Sequence, residues 1–178
     1  MNNTKKSKSS KAAKPRIIQR KNLMLRNELW PELDESLLWN RKKENGFTTI
    51  PRSMPYIIKI IDSLSKGKPL GSTYLTIWCH LFDESFIVIE NPKSFAFESG
   101  FQGQRAEDTW KKRMKKLQEL GFIDAKEGSA GPFTNVLVYN PHVIIIKEIK
   151  NEIQEPLYNS LIARLAYVGA KEVNNDPV

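Results

Sequence analysis

The stretch between Asn91 and Pro141 constrains the fold of this chain most, because several elements follow one another there with clear boundaries. Asn91 and Pro92 form a cap and first-turn pair, which predicts a helix that ends near Gly100. A short turn then leads to a longer helix, predicted over residues 104–120. The segment therefore begins with two consecutive helices separated by a turn.

A β-hairpin is predicted directly after the long helix. Gly121 ends that helix, and two apolar runs follow at residues 122–126 and 134–139. Residues 127–133 between them contain two glycines and a proline, which predicts a flexible loop.

The long helix has two chemically different faces when its residues are spaced at about 100° per residue. The apolar face is expected to face the core and comprises Ala106, Trp110, Met114, Leu117 and Leu120. The opposite, polar face comprises Gln104, Arg105, Asp108, Lys112 and Lys115, with Lys111 and Lys116 on its flanks. Arg and Lys pair with phosphates or guanine edges, Gln with adenine and Asp with cytosine, so these residue types suit DNA. The alternative is an ordinary solvated helix surface.

Further elements are predicted on both sides of this segment. Upstream, a short amphipathic helix is predicted behind Pro31, with Trp30, Leu33 and Leu37 at helical spacing. Two more helices are predicted, one over residues 54–66 capped by Ser53 and one over residues 73–82 with Cys79 and Phe82 toward the core. A buried strand is predicted over residues 86–89. Downstream are a helix opened by Asn140 and Pro141 with Ile145, Ile149 and Ile153 in line, and a helix opened by Pro156 with Leu157, Leu161 and Leu165 in line. These two apolar rows predict either packing on the domain or a homodimer surface.

The basic charge of the chain is concentrated at its start. The net charge is +8, yet residues 1–27 hold nine Lys or Arg and no Asp or Glu, so the other 19 basic and 20 acidic residues nearly cancel. Residues 1–22 have almost nothing to bury and are predicted to be a disordered basic tail. The predicted domains are this tail, an amino-terminal helical extension over residues 23–66, a central domain over residues 67–140, and carboxy-terminal helices over residues 141–178.

The order of the predicted elements resembles the winged helix-turn-helix family over roughly residues 70–140. The resemblance is most specific in residues 97–101 at the turn and in residues 120–123 at the entry to the hairpin. The second motif resembles the corresponding ending in GntR-like bacterial regulators and in winged-helix plasmid replication proteins. More residues separate Gly100 from Trp110 than in shorter family members, which predicts an earlier helix start or a longer turn.

The resemblance implies a mainly α fold with a small β-hairpin wing, an α+β class with helical extensions at both ends, that binds double-stranded DNA. It implies that the major groove is contacted by Gln104, Arg105, Asp108, Thr109 and Lys112. It implies that phosphates are contacted by Lys111, Lys115 and Lys116, and that the wing reaches DNA through Lys126 and Ser129. The expected role is bacterial transcription regulation, or plasmid or mobile-element replication or maintenance. The alternative is a winged-helix module that binds proteins and meets nucleic acid only through its basic tail.

Other function classes find little support in the sequence. The single cysteine, Cys79, excludes an internal disulfide and a multi-cysteine zinc site. The chain has only two histidines, His80 and His142, and neither a phosphate-loop nor a dinucleotide glycine pattern, so no metal, no cofactor and no enzymatic activity are predicted. No apolar run approaches the roughly 20 residues of a membrane span, so the cytoplasm is the expected location.

Overall fold

The computed structural model describes the backbone of residues 9–170 and the side chains of residues 17–170. The chain divides into two units, Met1–Asn45 and Gly46–Val178. The helices of the described part are α1 (Ser9–Leu29), α2 (Met54–Ser63), α3 (Gly71–Cys79), α4 (Pro92–Glu98), α5 (Ala106–Glu119), α6 (Pro141–Val143) and α7 (Glu155–Val168). The strands are β1 (Phe86–Val88), β2 (Ile123–Gly128) and β3 (Gly131–Val138). A mainly helical α+β architecture with a hairpin is therefore confirmed.

The first unit contains α1, which differs from the prediction for the start of the chain. A helix runs over Ser9–Leu29, where the sequence predicts a disordered tail up to residue 22. Residues 1–8 of that predicted tail lie outside the described residues. Ala, Lys and Arg have high intrinsic helix propensity, so this segment can be helical without burying a face. Its apolar side chains Ile18, Met24 and Leu29 are exposed.

The amphipathic helix predicted behind Pro31 does not form in the described chain. A single 3₁₀ turn, Glu35–Leu37, stands in its place, and Trp30 and Leu37 are exposed. The Asp34 carboxylate accepts a hydrogen bond from the Ser36 amide at 2.9 Å. Such a local bond favours a turn over a continuing helix, which explains the difference.

In the second unit, one carboxylate joins α2 to the start of α3. Asp62 Oδ1 accepts hydrogen bonds from the backbone amides of Leu70 and Gly71, at 2.7 and 2.8 Å. These amides open α3 and have no partner within the helix, so Asp62 caps α3 from a distance. A Cβ atom at Gly71 would collide with Ile58, and glycine therefore lets the two helices approach.

Three side chains near these helices depart from their predicted places. Ser53 precedes α2 as expected, but its hydroxyl makes no cap and instead pairs with His142 Nε2 at 2.7 Å. Cys79 and Phe82, predicted to face the core, are both exposed. α3 ends at Cys79, so Phe82 lies beyond the helix that was predicted to carry it inward. As a separate matter, none of the described helices is both long enough and apolar enough to span a membrane.

The sheet is antiparallel with the order β1-β3-β2. Ile87 of β1 lies opposite Val136 of β3, and Ile123 of β2 lies opposite Val138. These four side chains are buried and face the core. Their neighbours along the strands face the other side, as the two-residue period of a strand requires.

The hairpin turn is tighter than predicted. Only Ser129 and Ala130 connect β2 to β3, where the sequence predicts a flexible loop over residues 127–133. Gly131 adopts a φ of 112°, which only glycine adopts readily. The Thr134 hydroxyl accepts a hydrogen bond from the Ala130 amide at 3.1 Å and donates one to the Gly131 carbonyl at 2.8 Å. Together these features close the strands almost to the tip.

The carboxy-terminal helices complete the core of the second unit. After α6 the chain continues as a π-helical turn over Ile144–Glu148 and a 3₁₀ turn over Lys150–Glu152. α7 packs against α2 and ends at Gly169, which has a φ of 73°. Five members of the two predicted apolar rows are buried, namely Ile145, Ile149, Ile153, Leu161 and Leu165. The rows that predicted a dimer surface are therefore largely used within the chain, and the homodimer stays a prediction.

Candidate nucleic-acid interface

α4 and α5 pack against each other across a turn shaped by two glycines. Asn91 Oδ1 accepts a hydrogen bond from the Ser94 amide at 3.2 Å, so the predicted cap of α4 is confirmed. Gly100 and Gly103 have φ values of 88° and 81°, in the left-handed region that favours glycine. The Phe101 amide donates to the Ala96 carbonyl at 2.9 Å and fixes the path between the glycines. The turn therefore has one defined shape.

A cation holds this turn against α5. The guanidinium carbon of Arg113 lies 5.8 Å from the centre of the Phe101 ring, within the range of a cation–π contact. Both side chains are half-buried. Arg113 is one of the basic residues of the long helix, yet its place in the structure is at the turn rather than on the solvent face.

The core face of α5 is fixed by aromatic packing. Trp110, Met114 and Leu117 are fully buried. The Trp110 ring lies 6.3 Å from that of Phe95 in α4 and 6.0 Å from that of Phe133 in β3. α5 is therefore held between α4 and the hairpin, which sets the direction of its opposite face.

The opposite side carries what we call the outer face of α5, defined as Asp108, Lys112 and Lys115 together with Arg105, the cap residue directly before the helix. All four side chains are exposed. Within residues 17–170, none of its three cations forms an ion pair. Arg105 is the residue immediately before α5, and Gln104 lies exposed before it. The helix thus starts later than predicted, because the turn containing Gly103 takes up these positions.

Two other predicted lysines are engaged in ion pairs at the edges of this face. Lys111 Nζ lies 2.6 Å from Glu107 Oε1, and Lys116 Nζ lies 3.3 Å from Glu119 Oε2. The hydrogen bond from Lys111 lowers the pKa of the Glu107 carboxyl below its ordinary value, and the charge of Lys93 acts in the same direction. The sequence holds the signal for the first pair, since Glu107 and Lys111 are four residues apart in a helix. Thr109 is half-buried beside them.

Lys93 is an exposed cation that sequence reasoning did not select. It lies in the first turn of α4, and its field reaches Glu107 on α5.

The hairpin residues do not share the outer face of α5. Lys126 is exposed and lies opposite Asn135 of β3. Ser129 is exposed in the two-residue turn. Asp124 and Glu127 stand beside Lys126 in the sequence, so the hairpin carries both signs of charge. The predicted α5 residues therefore lie together on or next to one helix, whereas Lys126 and Ser129 belong to the hairpin.

The histidines take part in pairs rather than in a metal site. His80 Nε2 lies 2.6 Å from Glu98 Oε2, and this hydrogen bond lowers the pKa of the Glu98 carboxyl. His142 is buried against Ser53. In the part of the chain described, no group of three or more His, Cys, Asp or Glu side chains is placed to hold a metal ion.

Comparison of the chain with protein-family models, with curated proteins and with solved structures gives no match. Function is therefore inferred from the geometry and charge of this chain alone.

Proposed function

We propose that the protein binds double-stranded DNA by inserting the start of α5 into the major groove. The supporting observation is the outer face of α5, which carries three exposed cations that form no ion pair with any described residue, on a helix whose other face is fixed in the core. Exposed cations of this kind can replace the counterions of DNA phosphates, which is the main source of affinity in such complexes. A rigid helix keeps them in register with the groove.

The arrangement of the elements supports a winged helix-turn-helix as the fold that would present α5 to DNA. The order α3, β1, α4, α5, β2, β3 is the order on which the resemblance rests. β1 joins the hairpin through β3 in one sheet, so the hairpin is attached to the helices as a wing would be. The fixed turn between α4 and α5 fits a helix-turn-helix corner.

The position of each side chain suggests its role. The first residues of a recognition helix usually contact base edges, so Gln104 and Arg105 are assigned to bases, with Arg105 suited to guanine. Lys112 and Lys115 are further along the helix and are assigned to the groove wall and the phosphates. Lys126 and Ser129 would contact the DNA backbone from the wing. Such a protein would regulate transcription, or serve the replication or maintenance of a plasmid or mobile element.

Two variants distinguish the base contact from the phosphate contact. Arg105→Ala should cost about 1–3 kcal/mol on the duplex from beside the protein's own gene and much less on a scrambled duplex. Lys115→Ala should weaken binding to both duplexes alike. Fluorescence anisotropy with the full chain measures both. If neither variant alters binding to either duplex, the assignment of α5 is wrong, and a protein-binding role for the domain becomes the better account.

A further inference from the structure

β1 is an open edge of the sheet. The Val138 amide donates to the Ser85 carbonyl at 2.8 Å, and the Ile89 amide donates to the Thr134 carbonyl at 2.7 Å. The backbone groups of alternate residues point to opposite sides of a strand, so those of Phe86 and Val88 point away from β3. No backbone hydrogen bond of the described residues reaches them there.

The opposite edge of the same sheet is protected. The Gln118 side chain of α5 donates hydrogen bonds to Asp124 Oδ1 at 3.1 Å and to the Ala125 carbonyl at 3.4 Å, on the outer side of β2. The pairing of β2 is also irregular between Lys126 and Gly128. Proteins use such coverings and bulges to prevent an edge from pairing with another chain. Among the described residues, no side chain hydrogen-bonds to the outer side of β1, and its pairing with β3 has no bulge.

Apolar side chains accompany this open edge. Phe86 is 42% exposed, Val88 is 52% exposed, and Leu137 beside them on β3 is 39% exposed. Phe86 lies directly opposite Leu137, so the two side chains share the outer side of the sheet. A strand added at β1 would place every second side chain against this apolar surface.

A cavity of about 680 Å³ lies at the beginning of β1. The residues that line it include three aromatic ones, Phe47, Trp78 and Phe82, and two acidic ones, Asp83 and Glu84. Aromatic faces and carboxylates both attract an ammonium or guanidinium group. The cavity therefore suits the side chain of a lysine or an arginine.

We propose that β1 binds an extended segment of another protein by strand addition, with a Lys or Arg of that segment in the cavity. Backbone groups of Phe86 and Val88 would supply the hydrogen bonds, and the exposed apolar surface would receive alternate side chains. The acidic residues around the edge repel phosphate, so this surface is distinct from the one assigned to DNA and does not depend on that assignment.

The charges disfavour a second copy of this chain in the antiparallel register centred on Ile87, which overlaps the whole of β1. Two β1 strands paired antiparallel about Ile87 would place Glu84 of each copy opposite Glu90 of the other. Like charges directly opposite each other destabilise a strand pair. A basic partner segment would instead bring positive charges beside Glu84 and Glu90, at the two ends of the strand.

Selection of short peptides from a random phage-displayed library, with the full chain as bait, tests the proposal. We expect an enriched family with apolar residues at alternate positions and a Lys or Arg near one end. In anisotropy measurements with a selected peptide, Val88→Pro should bind at least about tenfold more weakly, because an outward N–H is lost and the ring blocks the added strand. Proline is tolerated there because this N–H makes no bond within the sheet.

Val88→Thr is the matched control, since it keeps the N–H and the β-branched shape, and its affinity should stay within about threefold of the wild type. Asp83→Lys combined with Glu84→Lys should remove the preference for the basic residue of the peptide. DNA binding by Val88→Pro should be unchanged, which separates this site from α5.

The proposal is overturned if no such family is enriched, or if selected peptides bind Val88→Pro as well as the wild type. It is also overturned if the chain forms a dimer that Val88→Pro converts to a monomer, because the occupant would then be a second copy. If Val88→Pro does not fold, hydrogen exchange of the wild type decides. The peptide must slow exchange of the Phe86 and Val88 amides, and unchanged exchange rejects strand addition.

Discussion

Replacing Lys115 by alanine separates the exposed cations of α5 from the paired ones. Lys115 is exposed and has no ion pair among the described residues, whereas Lys111 is held 2.6 Å from Glu107. A lysine that is free to meet a phosphate releases a counterion when DNA binds. A lysine held by a neighbouring carboxylate contributes much less, because the pair carries no net charge.

The expected magnitude follows from the number of phosphate contacts removed. Each contact accounts for about 0.9 in the slope of log affinity against log salt concentration on duplex DNA. Loss of the single contact of Lys115 should therefore flatten the slope by about 0.9, which at about 0.1 M salt is an approximately eightfold loss of affinity. The loss should be equal on specific and scrambled duplexes, since phosphates carry no sequence information.

The matched control removes a whole ion pair and leaves the net charge unchanged. Glu107→Ala combined with Lys111→Ala should shift affinity by less than about twofold, because surface ion pairs contribute little to stability and this one is neutral. Glu107→Ala alone frees Lys111 and should increase affinity and steepen the slope. Anisotropy titrations across a salt series measure all three variants. An unchanged slope for Lys115→Ala, or an equal loss for the double variant, would refute the reasoning.

Two further predictions concern the scaffold. Asp62→Ala removes the acceptor of the Leu70 and Gly71 amides and should lower the free energy of unfolding by about 1–2 kcal/mol. Asp62→Asn keeps an oxygen acceptor and should lower it less. Chemical denaturation compares the two variants, and equal losses of stability would exclude the capping role. Thr134→Val removes both hydrogen bonds at the hairpin tip and should lower the free energy of unfolding by about 1 kcal/mol. It should also speed hydrogen exchange of the Ala130 amide, and unchanged exchange would contradict the role of this hydroxyl.

Local signals in the sequence predicted the elements that carry them. The Asn91 cap is present, and Asn140 likewise accepts a hydrogen bond from the His142 amide at 2.9 Å. A cap needs only residues within one turn, so the sequence holds the information. The strand at Phe86–Val88 was predictable for the same reason, since its apolar run is short and continuous, but its predicted burial was wrong, because β1 is an edge strand in which only Ile87 is buried.

Features that depend on distant residues were not predictable. Ser53 has the right type and place for a cap, yet its hydroxyl pairs with His142, which is 89 residues away along the chain. The hairpin turn depends on how Thr134 meets the residues before it, and a window of residues read in isolation does not show this. Arg113 looked equivalent to its basic neighbours until its contact with Phe101 set it apart.

Binding of duplex DNA by a variant that lacks the outer-face cations tests the central proposal most directly. Arg105→Gln, Lys112→Gln and Lys115→Gln are combined in the full chain, which keeps the basic residues of the amino-terminal segment. Anisotropy across a salt series should show a slope smaller than that of the wild type by about 1.8, from the phosphate contacts of Lys112 and Lys115, and loss of the Arg105 base contact should remove discrimination between native and scrambled duplexes. Wild-type slope, affinity and discrimination in this variant would contradict the proposal and assign DNA binding to another part of the chain.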